Sequence, residues 1–130
     1  MTAIAEVDME RLLSSAALVA LIGDHAYRQR LPQNADYSAV VLHVIAQDPE
    51  INHSGRAGTT LCTHHYYCYG IDGDTAEAVA AEVEACLDDT ELTSGSITVS
   101  TAVEMRRMDI PYDPDIRIYG IGIEAKFWAY

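Results

Sequence analysis

The densest set of reactive side chains in the sequence is Cys62, His64, His65 and Cys68. Thiolates and imidazoles are common zinc ligands, and a Cys/His pair is the minimal nucleophile and base of covalent catalysis. On an extended segment Cys62, His64 and Cys68 point the same way, and His43 could join them from a neighbouring strand. Strand side chains two positions apart are separated by about 6–7 Å, whereas zinc draws four ligands to a little over about 2 Å. No C-x-x-C or H-E-x-x-H spacing accompanies the cluster. Cys68 and His65, taken as a nucleophile and its base, lack an orienting third group and an oxyanion nest. The sequence also has no G-x-S-x-G, no phosphate-cradling glycine loop and no dinucleotide fingerprint. Asp72-Gly-Asp74 lacks the remaining ligands of a calcium loop and is simpler as a turn and helix cap. The residues therefore predict buried thiols beside a half-exposed histidine pair. They predict no metal, no cofactor and no enzyme.

The elements that would carry these residues follow from hydrophobic spacing. Met9, Leu12, Leu13, Ala16, Ala17, Ala20 and Leu21 lie on one face of a helix, which Gly23 stops. His25 to Asp36, with Pro32 inside it, reads as irregular connection. Ala39 to Ala46 is apolar on both faces except at His43, the pattern of a strand covered on both sides. Gln47 to Gly58, with Pro49, Gly55 and Gly58, reads as a long polar loop. Such loops are uncommon and often functional. Thr59 to Tyr69 is a strand with Leu61, Thr63, His65 and Tyr67 on one face and Cys62, His64, Tyr66 and Cys68 on the other. A second helix begins at Asp74 with Glu77 in a capping box and turns Ala76, Val79, Ala80, Val83 and Leu87 inward. From Asp72 through Glu91 the sequence has acids and no base, so the outer face of this helix is solvated. Ser96 to Met105 and Ile116 to Trp128 alternate as two final strands, joined by a turn at Pro111 to Pro114.

The order is α-β-β-α-β-β, with room for short strand pieces near Arg28. It predicts an α+β fold in which a four-stranded or slightly larger, mostly antiparallel sheet carries two helices on one face. With 130 residues the chain is expected to form one domain, 1–130, burying roughly two thirds of its unfolded surface. Two helices cover one face only. The apolar residues Val40, Val41, Leu42, Val44 and Ile45, with Ile116, Ile118, Tyr119 and Ile121, then predict a neighbouring subunit on the other.

Charge narrows the partners. Twenty Asp/Glu against eight Lys/Arg give a net charge of −12, which leaves no basic footprint for gripping phosphates. Tyr66, Tyr67 and Tyr69 could stack bases, but without lysines or arginines around them they are expected to fill core and interface positions. Three cysteines and no leader pattern predict free thiols in a reducing cytoplasm, and the apolar run from Ala16 to Ile22 is too short to cross a bilayer. The concentrated positive charge is at Arg28, Arg30, Arg56, Arg106 and Arg107. These arginines could meet an acidic helix across a subunit boundary.

Several segments occur together in a recognisable order. They are Leu18-Val-Ala-Leu-Ile-Gly23, Arg30-Leu-Pro-Gln33, Val40-Val-Leu42, the Asp48-Pro-Glu to His53-Ser-Gly55 segment, Tyr66-Tyr-Cys-Tyr69, Ala76 to Leu87, and a long closing strand ending Phe127-Trp128. In this order the chain resembles the tail-completion or tail-terminator proteins of long-tailed bacteriophages and gene transfer agents, over about residues 10–128. It departs at His64 to Tyr69, where the family's strand alternates more plainly and ends near a tryptophan. The resemblance implies a hexameric homo-oligomer at the head-proximal end of the tail tube. That ring would stop tube polymerisation and join the tail tube protein to the head-tail connector protein, with DNA passing through its lumen unbound. It also implies a virion location and an assembly role for the Gln47 to Gly58 segment. The interface set is then Arg28, Arg30, Asp48, His53, Arg56, Arg106 and Arg107. Two rivals remain at this stage: a small-molecule-binding α+β regulatory module, and a joining ring on the connector side.

Overall fold

Two adjacent serines divide the first helical run. In the computed structural model, which describes residues 3–29, 38–52, 55–113 and 118–130, helix α1 spans Ile4–Leu13 and helix α2 spans Ala16–Ile22. Ser14 Oγ donates to the Arg11 carbonyl at 2.6 Å, while Ser15 is extended and its side chain accepts the Leu18 N–H at 3.2 Å. Serine hydroxyls compete locally with the helix ladder, and the apolar spacing passes over such a break unmarked. The single predicted helix is thus two, and Leu13 and Leu21, assigned to its inner face, are exposed. Helix α3 spans Gly73–Asp89. Its cap is Asp72, which accepts the Thr75 N–H at 2.7 Å, and not the predicted Asp74. The predicted inner face of Ala76, Val79, Ala80, Val83 and Leu87 is buried, joined by Cys86.

The fold is α+β, with three helices and a seven-stranded sheet where two helices and about four strands were expected. The strands are β1 (Ala26–Arg28), β2 (Ala39–Asn52), β3 (Gly55–Gly70), β4 (Leu92–Ser94), β5 (Ile97–Val99), β6 (Glu104–Asp113) and β7 (Ile118–Ala129). They follow the order β1-β2-β3-β7-β5-β4, and β6 pairs with β7 as well. The β1–β2 pair is parallel and the others antiparallel. The extra strands β4 and β5 have three residues each, too few for alternation to register, and β1, equally short, falls where a strand piece near Arg28 was allowed for. The strand predicted from Ser96 to Met105 is broken: β5 ends at Val99, and β6 starts at Glu104 in a different position beside β7.

Two predicted connections are strand instead. The Gln47 to Gly58 segment continues β2 and β3 as one hairpin, paired as far as Asn52 with Gly55 and bulged between Val44 and Ala46 and between Pro49 and Ile51. A proline on a strand is tolerated at an edge or bulge, and the polar Gln47 and Asp48 beside Pro49 are exposed there. Pro111, predicted in a turn, lies within β6 at a register shift between Ile110 and Asp113.

All three helices pack on one sheet face. Val40 and Leu42, Tyr66 and Cys68, and Ile123 and Ala125 meet Leu12, Leu18, Ile22, Val79, Val83 and Leu87 there. The alternation read for β3 holds, since Cys62, His64, Tyr66 and Cys68 are buried and the intervening residues half-buried. The opposite face differs from the bare apolar surface expected. Gly120 and Gly122 leave room for Tyr69 and Met108, whose atoms would lie 3.0 and 3.1 Å from an added Cβ. Beside them His65, Glu124 and Arg106 form a polar chain, His65 Nε2 to Glu124 Oε2 at 2.9 Å and Arg106 Nη2 to the same oxygen at 3.1 Å. Part of the cover this face needs comes from its own side chains.

Candidate functional site

The reactive cluster separates once folded. His64 and His65 point to opposite faces, so the predicted half-exposed pair does not exist. His65 is half-buried on the open face. His64 is sealed in the core, where its Nδ1 lies 2.8 Å from Asp8 Oδ2. Asp8 Oδ1 accepts from Arg11 Nε at 3.0 Å and Nη2 at 2.6 Å, and Tyr66 donates its hydroxyl to Oδ2. Arg11 also donates to the Ser100 carbonyl, and its guanidinium lies 4.7 Å from the Phe127 ring centre.

Burial opposes the charge on Asp8, but His64, Arg11 and Tyr66 outweigh it and hold its carboxyl below the ordinary range. Burial likewise lifts the Tyr66 phenol well above its usual value. This network pins α1 to β3 and to the strand exits near Ser100. Sealed from solvent, it has no access for a substrate.

The thiols are equally withdrawn. Burial pushes the Cys62 thiol up to about 12 and raises Cys68 and Cys86 as well, which suppresses the nucleophilic thiolate. Among the described residues, no three His, Cys, Asp or Glu side chains converge to hold an ion.

The predicted interface residues do not gather into one patch. Arg107 faces the helices and clasps its own α3, with Nη1 2.7 Å from Glu77 and Nε 3.0 Å from Glu84. Arg106 lies on the other face against Glu124 and stays 66% exposed. Arg28 is exposed at the end of β1, and Asp48 is exposed on β2. Arg56 pairs through its backbone with Ile51. Arg30 and His53 lie outside the described residues.

The geometry offers edges and a projection. The pairing of β3 with β7 ends at Thr60 with Ala129, and beyond it the β2–β3 hairpin continues unsupported by β7. On the outer side of β2, β1 pairs only with Val40 to Leu42. From His43 onward no strand lies against that edge among the described residues. Val44 and Ile45 sit on it, 40% and 52% exposed, although the sequence pattern had them covered on both sides. At the base of the hairpin, Thr59, Ser100, Thr101, Val103, Trp128 and Tyr130 line an open hollow of ≈ 430 Å³. The Trp128 N–H donates to Ser100 Oγ and the Ser100 N–H to the Trp128 carbonyl, which fixes one wall of it. The edge was invisible in the sequence because strand neighbours are set by topology. Its one signal is the switch at Ala46 from an apolar to a polar pattern.

One chain of a solved virion of a native gene transfer agent particle has the same fold, with a TM-score of 0.65 and 16% identity over 98% of this chain and 92% of its own. A second solved protein matches with a TM-score of 0.56 and 17% identity over 97% of this chain and 91% of its own. No curated protein sequence matches the chain. The family model described as tail completion protein gp17 matches residues 9–129. This match over most of its length shows that the chain, which presents strand edges and a projecting hairpin, belongs to the tail completion protein gp17 family and is a structural protein of the virion tail.

Proposed function

We propose that the protein forms a ring at the head-proximal end of the tail tube, ends tube polymerisation and joins the tail to the head connector. The projecting β2–β3 hairpin carries this reading. A ladder that leaves its sheet with an edge unpaired among the described residues and apolar side chains exposed is an aggregation hazard in a lone soluble copy, and a natural contact in an assembly. The charge supports a passive lumen: a wall carrying net negative charge on every copy repels DNA and lets it slide. Of the predicted interface residues, Asp48 and Arg56 stand on the hairpin, and Arg28 and Arg106 near the sheet edges. The hollow near Trp128 presents no converging charged groups, so a metabolite-binding role finds no support there.

The test replaces residues 50–57 by a two-residue Asn-Gly turn, in particles that depend on the variant. The shortened protein should keep its circular dichroism spectrum and cooperative unfolding. Electron micrographs should show tubes of uncontrolled length without heads. Tails of normal length joined to heads would overturn the proposal, and headless tails of normal length would confine the hairpin to the connector side.

A further inference from the structure

We infer that the ring closes by continuation of the sheet, with the outer edge of β6 in one copy lying antiparallel along the outer edge of β2 in the next. This rests on the ring reading above and names the two surfaces that meet. Both edges are open among the described residues: β6 pairs only with β7, and β2 beyond Leu42 only with β3. They lie on different parts of the sheet, so the contact is heterologous, the kind that generates rings when its rotation closes. Polarity fits. Within one copy β2, β3, β7 and β6 alternate in direction, so continuing the sheet from copy to copy sets β6 antiparallel to β2.

Face and charge select a register. Asp48 pairs with Leu61 and shares the open face, and Arg106 pairs with Glu124 on that same face. Arg106 gives Glu124 only its Nη2 and remains largely exposed, so its other donors are available to a carboxylate. Placing Arg106 of one copy opposite Asp48 of the next runs Glu104–Ile110 alongside Glu50–Val44. The regular ladder of β6 then stops at Ile110, before Pro111, where β1 takes over the β2 edge at Leu42. Val44 and Ile45, exposed in one copy, come under the neighbouring strand.

The test uses cysteine pairs in the full chain, because the native thiols Cys62, Cys68 and Cys86 are buried. Asp48→Cys and Arg106→Cys are combined in one chain, oxidised in assembled tails, and run on non-reducing gels. A ladder of covalent multimers ending at the ring is expected. Mixing the two single variants should give dimers and nothing longer. A second pair, Asp48→Cys with Thr93→Cys on β4, should remain uncrosslinked. Rings visible in micrographs with no 48–106 ladder, a double variant that stops at dimers, or efficient 48–93 crosslinking would each overturn the inference and leave the ring standing. Absence of any ring on the tails would instead remove the reading on which it depends.

Discussion

At the scale of residues, the largest consequence of folding is a charged network in the core. Asp8 and Arg11 are separated by one helical turn and resemble an ordinary surface pair in the sequence, yet both are fully buried, along with His64 and Tyr66. Leaving one charge of a buried pair uncompensated typically costs about 3–5 kcal/mol. Arg11→Met and Asp8→Leu should each lower the urea midpoint by a corresponding amount. The double variant should be more stable than the sum of the two losses implies, because no lone charge remains. Acid will act through the same carboxyl. The folded-state pKa of Asp8 lies below its unfolded value, so its contribution is present above the unfolded pKa and is lost as pH falls through the folded one. Asp8→Asn should therefore be less stable than the parent at neutral pH, with the gap narrowing at pH values below about 4 in pH-dependent denaturation.

At the scale of elements, the turn from β3 into α3 is the most tightly specified junction. A Cβ on Gly70 would lie 2.6 Å from the Ala76 backbone nitrogen, which cannot move without displacing the first turn of α3. Gly70→Ala should cost about 1–3 kcal/mol, the usual range for overpacking. Gly73→Ala, which meets nothing within 4 Å, should be neutral or stabilising by about 0.4–1 kcal/mol. Thermal unfolding of the two variants checks both expectations. The faces of α3 and β3 were legible, since both bury the residues their periodicity selects. Their limits were not. The Ser14–Ser15 break and the strand character of the polar hairpin depend on hydrogen bonds and on a partner strand, which hydropathy does not encode.

For the whole molecule, charge and edges set the terms of assembly. Every copy carries −12, so copies brought together repel over distances comparable to the Debye length. The proposed ring should form more slowly in about 0.01 M salt, where that length is about 30 Å, than in about 0.15 M, where it is about 8 Å. Light scattering after dilution follows the rate directly. A rate that falls as salt rises over this interval would mean that attraction between the Arg106 and Asp48 surfaces outweighs the general repulsion.

The sequence by itself determined the α+β class, the inner faces of β3 and of the long acidic helix, and enough ordered local signals to suggest the family. These are properties of neighbouring residues, and a repeat of two or 3.6 is complete within a few of them. Only the tertiary structure decided that His64 joins Asp8 and Arg11, that Arg107 is taken by its own α3, and that β2 and β6 have open edges among the described residues. Each of those outcomes depends on which distant segments become neighbours, and partners remote along the chain leave no periodic trace in it.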